Sequence, residues 1–229
     1  MAKIEVKGVI VPNEDKWIYD FFEMDAVCPR DVLTKIPQGE KESIDVYINS
    51  GGGEITSGSE IYAALREYRG IVNIHVVGMA ASAASVIACA GKSDITPTAL
   101  FMYHNVSGGA CGDYHELEKG ADRLKNANRS IAAAYMEKTG MSENELLAQM
   151  DAETWITAAD AVRLGFIDEI AKNQNQNARL TASTGSGLLP QETINKIRNQ
   201  FANSRPDKDA DFLYAKAELD LIKLGSVTE

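Results

Sequence analysis

Residues 71 to 85 read IVNIHVVGMAASAAS. The first seven are apolar and β-branched at alternate positions, as a strand requires. The last eight are small and suit a closely packed helix. This change of pattern decides the fold class, because a buried strand feeding directly into a buried helix is a unit of an α/β domain. Ser82 stands at the change. There a helix start offers unpaired backbone N–H groups and a positive dipole end to a developing negative charge. Its small neighbours leave room for a peptide to approach. The setting is that of a nucleophile elbow, although the G-x-S-x-G signature is missing. The same octapeptide also reads as plain helix packing, with Ser82 and Ser85 filling space as Ala80, Ala81, Ala83 and Ala84 do.

Outward from this stretch, short strands and helices alternate. IEVKGVIV (4 to 11) and IDVYI (44 to 48) read as strands. Residues 54 to 69 have helical spacing at Ile55, Ile61, Leu65 and Tyr68. After the strand at 71 to 77 come a small-residue helix from about 80 to 90 and a short strand ending at Phe101, Met102 and Tyr103. A long polar helix from Tyr114 to Lys138 carries Leu117, Ala121, Leu124, Ile131 and Tyr135 on one stripe. TAADAVRLG (157 to 165) is a further helix with Thr157 as cap and Gly165 as stop. Residues 1 to 172 therefore read as one domain. NQNQNARLTASTGSG opens a polar linker over 173 to 190, and amphipathic patterns follow it within 191 to 229, with Phe212, Leu213, Leu219, Ile222 and Leu224 as an apolar set.

Composition excludes several function classes. With 229 residues, 45% hydrophobic and 24% charged, the chain can bury a proper core. Its formal net charge of −10 and pI near 4.9 speak against a basic patch, so nucleic acid is not expected as a partner. Cys28, Cys89 and Cys111 are odd in number and lie far apart, which reads as reduced thiols in a cytoplasmic protein. The amino terminus alternates like a strand and has no signal-peptide core. The one apolar stretch of membrane length, 71 to 90, is interrupted by Asn73, His75, Gly78 and two serines, so no membrane span is expected. The three histidines and three cysteines do not cluster at ligand spacings, and no metal site is expected.

Three histidines make the search for a general base short. His75 lies within a β run and reads as a packed or edge residue. His115 opens the long polar helix as a solvated face. His104 ends the strand FMYH and is followed by NVSGG, a loop of the kind that carries function. NSGGG (49 to 53) also lies between a strand and a helix. Its N–H groups either face a ligand or close a plain tight turn.

Four segments, YINSGGGEITSG (47 to 58), GMAAS (78 to 82), MYHNVSGG (102 to 109) and TAADAVRLGFID (157 to 168), occur in the order seen in the proteolytic subunit of the Clp protease. The chain resembles this ClpP family over roughly residues 44 to 171. The resemblance implies an α/β fold, a ClpP/crotonase-type spiral of β-β-α units with a long handle helix, and subunits stacked as rings around a proteolytic chamber. It implies a serine endopeptidase that needs no cofactor and acts on polypeptide. Carried over motif by motif, the nucleophile falls on Ser82 and the general base on His104. The oxyanion donors fall on the N–H groups of Gly53 and Ala83. The family's aspartate ahead of the WITAADAV segment is replaced here by DAETW, where a gapless register puts Glu153 in the role and leaves Asp151 as the alternate.

The segment ahead of the first motif is shorter than in housekeeping members, which implies reduced axial loops and a reduced docking surface for an ATP-dependent unfoldase. That feature and the carboxyl-terminal extension are similar to ClpP-like proteases of phage and prophage head-gene clusters, whose partners are capsid or scaffold proteins. Two rival classes share the fold. A crotonase-like acyl-CoA hydratase or isomerase would use the paired N–H groups without a serine nucleophile, and a catalytically inactive ClpP-like subunit would be consistent with the changed acid.

Overall fold

A computed structural model describes residues 2–39 and 42–171, together with Asn195. Asn195 apart, the expected linker and carboxyl-terminal extension lie outside the described residues. Strands and helices follow one another as β1 (Ala2–Ile10), α1 (Lys16–Phe21), β2 (Ala26–Val27), α2 (Pro29–Leu33), β3 (Ser43–Gly53), α3 (Ile55–Glu67), β4 (Ile71–Ala81) and α4 (Ala83–Ala88). Then come β5 (Lys92–Ile95), β6 (Leu100–Tyr103), α5 (Tyr114–Thr139), α6 (Glu143–Asp151), β7 (Thr154–Thr157), α7 (Ala158–Arg163) and β8 (Glu169–Ile170).

The strands form one sheet of order β2-β1-β3-β4-β5-β8, parallel throughout, with β6 and β7 as a branch. The branch arises on β4. Its first half, Asn73 to Val76, pairs with β5, and its last three residues, Met79 to Ala81, pair with β6. β7 then adds antiparallel to β6. This change of neighbour opens the sheet at the end of β4, where the helical segment begins.

Alternation within the strands sorts the two faces. Ile4, Val6, Ile44, Val46, Ile48, Ile74 and Val76 are fully buried and meet Ile61 and Leu65 of α3 and the small residues of α4. Lys3, Glu5, Tyr47, Asn73 and His75 lie on the opposite, polar face. His75, expected as a packed or edge residue, is tied there by its Nδ1 to Asp94 Oδ2 at 2.8 Å, while Asn73 donates to Asp45 at 2.9 Å. His115, expected on a solvated face, is exposed and stacks on Tyr114.

Three expectations change. The strand expected at 71 to 77 continues to Ala81, because β6 offers its edge a second partner. NSGGG is no tight turn: it extends β3 to Gly53, with irregular register against β1 and β4. The apolar stripe of α5 divides. Ile131 and Tyr135 are buried in the subunit's own core, whereas Leu117 is 50% exposed, as is Tyr114, outside the stripe at the start of the helix, at 65%. The capping expectations hold: the Thr157 hydroxyl accepts from Asp160 N, and Gly165 takes φ +82 just after α7.

Candidate active site

Three strand ends meet in one cleft of about 410 Å3, lined by Gly53, Ser82, His104 and Glu153 together with Met79, Met102, Ile131 and Trp155. Clefts of this kind open beyond the carboxyl ends of strands in open α/β sheets. Parallel pairing of Ala81 with Met102 brings the ends of β4 and β6 side by side, so the residues that follow, Ser82 and His104, become neighbours.

Ser82 is the N-cap of α4 and takes φ 54, ψ −126, a conformation rarely adopted by an L residue. Such backbone strain costs about 1–3 kcal/mol and persists only where the surroundings impose it. Here they do. Ser82 N donates to Met102 O at 3.0 Å, and Ser82 O accepts both Ser85 N at 2.9 Å and Ser85 Oγ at 2.6 Å. The Ser82 hydroxyl lies 2.8 Å from His104 Nε2. A hydroxyl in hydrogen-bond reach of an imidazole is the geometry of a nucleophile beside its general base.

The glycine run explains itself at two positions. Gly52 takes φ +92, and a Cβ there would stand 2.7 Å from the Ser82 Cβ and 2.9 Å from Ala83 N. Gly53 takes φ +149, and a Cβ there would stand 2.1 Å from Ile10 O. Ser50 holds the run in place, its hydroxyl donating to Gly8 O at 2.6 Å and accepting from Gly52 N at 3.0 Å. Ala83 opens α4, so its N–H has no carbonyl partner within the helix. Next to the run, Glu54 caps α3 by accepting from Thr56 N and Ser57 N. Burial pushes its carboxyl up, but the hydrogen bonds from Thr56 and Ser57 outweigh this and hold it below the usual range.

The two acidic candidates separate. Glu153 lines the cleft, takes φ 47 and accepts from Trp155 Nε1 at 3.2 Å. Asp151 accepts from Asn105 Nδ2 at 2.6 Å and so holds the loop that follows His104. Among the described residues neither carboxylate hydrogen-bonds to His104. Val106 N donates to Asn128 Oδ1 at 2.7 Å, which ties the same loop to α5.

Several residues around the cleft were not singled out by sequence reasoning. Ser50 stands just before the glycines with no motif of its own. Asn105 gave no signal beyond its place after the histidine. Ser85 was read as helix packing and Tyr135 as part of a stripe, yet their hydroxyls lie 2.7 Å apart behind Ser82. Cys89, one turn further along, is a buried thiol pushed up to about 12 by desolvation and takes no part in the cleft.

A model of the Clp protease family matches residues 30–174, well over half of the chain, and the parallel α/β sheet fits the ClpP-type fold. That match spans all three strand ends and every side chain of the cleft, and by it the chain belongs to the Clp protease family of serine peptidases.

Proposed function

We propose that this protein is a serine endopeptidase in which Ser82 is the nucleophile, His104 the general base and Glu153 the third member of the triad. The observation that carries the proposal is the 2.8 Å approach of Ser82 Oγ to His104 Nε2 at a strained strand-to-helix turn. His104 takes the Ser82 proton as the oxygen attacks a peptide carbonyl. The N–H groups of Gly53 and Ala83 receive the oxyanion. As the tetrahedral intermediate collapses, His104 hands the proton to the leaving amine, and water then releases the acyl group by the same route. Glu153 holds the imidazolium charge. Its place in the cleft and its exposed side chain, tied among the described residues only to Trp155, support it over Asp151, which is committed to Asn105.

Substrate polypeptide lies across the apolar wall of Met79, Met102, Ile131 and Trp155. The exposed half of α5, with Tyr114 and Leu117 outward, is the surface through which copies of the chain stack as rings. Residues 1 to 172 form the peptidase unit, and the polar linker and amphipathic patterns beyond it form a separable element. Capsid or scaffold protein of a phage head is the proposed natural substrate, on the overall likeness of the chain to phage-type members.

The acyl-CoA hydratase reading leaves the Ser82–His104 pair without a purpose and is not favoured. A catalytically idle subunit has one observation on its side, the absence of a carboxylate on His104 among the described residues. A fluorophosphonate probe separates these readings. Labelling at Ser82 that vanishes in both Ser82→Ala and His104→Ala is expected, with peptidase losses on the order of 10⁴ to 10⁶ and a double variant little worse, because the pair acts as a unit. A wild-type chain that neither labels nor hydrolyses a fluorogenic peptide refutes the proposal.

A further inference from the structure

We infer that Tyr135 and Ser85 are positioning residues that orient the Ser82–Ala83 peptide, and that through them the placement of α5 is read by the Ala83 N–H. The inference rests on the reading of Ser82 as nucleophile and Ala83 as oxyanion donor.

One proton sets the direction of the hydrogen bonds behind Ser82. Ser85 Oγ is fully buried and carries a single hydrogen. It lies 2.6 Å from Ser82 O, a carbonyl that can only accept, so the Ser85 proton points there. Ser85 Oγ is then left with acceptor capacity alone, and the Tyr135 hydroxyl 2.7 Å away must donate to it. The order is fixed: Tyr135 O–H to Ser85 Oγ, Ser85 O–H to Ser82 O. Tyr135 is 1% exposed, and burial raises its phenol far above the ordinary value despite the Ser85 hydrogen bond, so the donor stays protonated.

The consequence follows from peptide geometry. A trans peptide is planar, with its C=O and N–H pointing in opposite directions. Ser82 O turned toward Ser85 therefore turns the Ala83 N–H away from it, and only a residue without a Cβ fits beside that nitrogen at position 52, since a Cβ added at Gly52 would stand 2.9 Å from Ala83 N. Rotation about ψ of Ser82 would swing this peptide plane, and ψ at −126 belongs to the strained conformation. Two donors on one carbonyl, Ser85 N and Ser85 Oγ, oppose that rotation. Successive hydrogen bonds also polarise one another, which makes the N–H at the end of the relay a better donor.

Tyr135 comes from α5, and its ring is fixed against Tyr103 and Phe166 at centroid distances of 5.8 Å and 5.6 Å. Removing the hydroxyl alone leaves this packing in place. The relay is thus the polar link between the long helix and the nucleophile turn.

The test uses the full chain, a fluorogenic peptide, and fluorophosphonate titration to count active sites. Tyr135→Phe is expected to lower kcat per titrated site about 10-fold, below the 10²–10³ for removing an oxyanion donor outright. KM stays within twofold, and the Ki of a peptide boronate, which forms a tetrahedral adduct on the nucleophile, rises by the same factor as kcat falls. Ser85→Ala loses at least as much, and adding Tyr135→Phe to it changes nothing further, because Tyr135 acts through Ser85. The Ser85→Ala variant removes one atom and keeps the test decisive where Tyr135→Phe folds poorly. Wild-type kcat and boronate Ki in either single variant, or additive losses in the double, overturn the relay. Labelling that persists in Ser82→Ala overturns the nucleophile reading instead, and the relay falls with it.

Discussion

Adding one methyl group at each of three consecutive glycines tests how the cleft is built. At Gly51 a Cβ meets nothing closer than Met79 Cε at 3.6 Å, an ordinary contact. At Gly52 it stands 2.7 Å from both the Ala81 carbonyl oxygen and the Ser82 Cβ, and 2.9 Å from Ala83 N, so it presses on the nucleophile turn itself. Carbon atoms rest at about 3.5 Å or more, so Gly52→Ala pushes the Ser82 side chain by about 0.8 Å. A φ of +92 adds backbone strain of about 1–3 kcal/mol. Misplacement by about 1 Å costs on the order of 10²-fold in rate. At Gly53 the clash is 2.1 Å from Ile10 O, between two strands, so the cost falls on the fold. Overpacking together with strain puts it at about 2–6 kcal/mol, a large share of a typical stability of about 5–15. Expected outcomes are wild-type behaviour for Gly51→Ala, and a folded chain with kcat about 10²-fold lower for Gly52→Ala. Gly53→Ala shifts the urea midpoint strongly downward. Circular dichroism, urea unfolding and peptide hydrolysis read the three side by side. A folded Gly52→Ala that hydrolyses peptide and labels with fluorophosphonate at the wild-type rate refutes the reasoning, because then the glycine run does not abut the reacting serine.

Glu153→Gln is expected to lower kcat far more than Asp151→Asn, since only the third triad member carries the imidazolium; the reverse order in steady-state assays moves the assignment to Asp151. Tyr114→Asp with Leu117→Asp is expected to dissociate the assembly in sedimentation velocity while each subunit stays folded, and an unchanged sedimentation coefficient removes α5 from the ring contact. Ile131 is unsuitable for that test because it is 6% exposed and belongs to the subunit core. Burial pushes the Asp168 carboxyl up, but Lys138 and the hydrogen bonds from Ser93 outweigh it and hold it below its ordinary value. A carboxyl depressed in the folded state stabilises the fold above its unfolded pKa of about 3.9, and that stability is lost as pH falls through the folded value. Asp168→Asn is therefore expected to lose stability at pH 7 and to flatten the fall of the thermal midpoint below about pH 4; an unchanged acid limb counts against the Asp168–Lys138 contact.

Local chemistry made much of this fold legible. Strand alternation in IVNIHVV, the Thr157 cap and the Gly165 stop each depend on residues within a turn or two, and each is found where the pattern put it, whereas the helix expected from about residue 80 opens only at Ala83. The serine, the histidine and the glycine run were legible as motifs, because each sits at the end of a strand. What the sequence could not show were relations between distant segments. β4 runs on to Ala81 only because β6, some twenty residues away, pairs with its last three residues. The glycines read equally as a ligand-facing loop or a plain turn until β1 takes them as strand partners, at Gly52 and Gly53. The α5 stripe has one periodicity, yet its ends have opposite fates, since only the final turns lie over the sheet and the aromatic cluster. Asp151 and Glu153 are two residues apart and chemically alike, and one faces the cleft while the other holds Asn105. Ser85 and Tyr135, fifty positions apart, show no joint pattern at all. Periodicity records which face of an element is apolar, and it carries no record of which partner covers that face. Partner choice is made by packing across the whole chain, and the cleft was built by that choice.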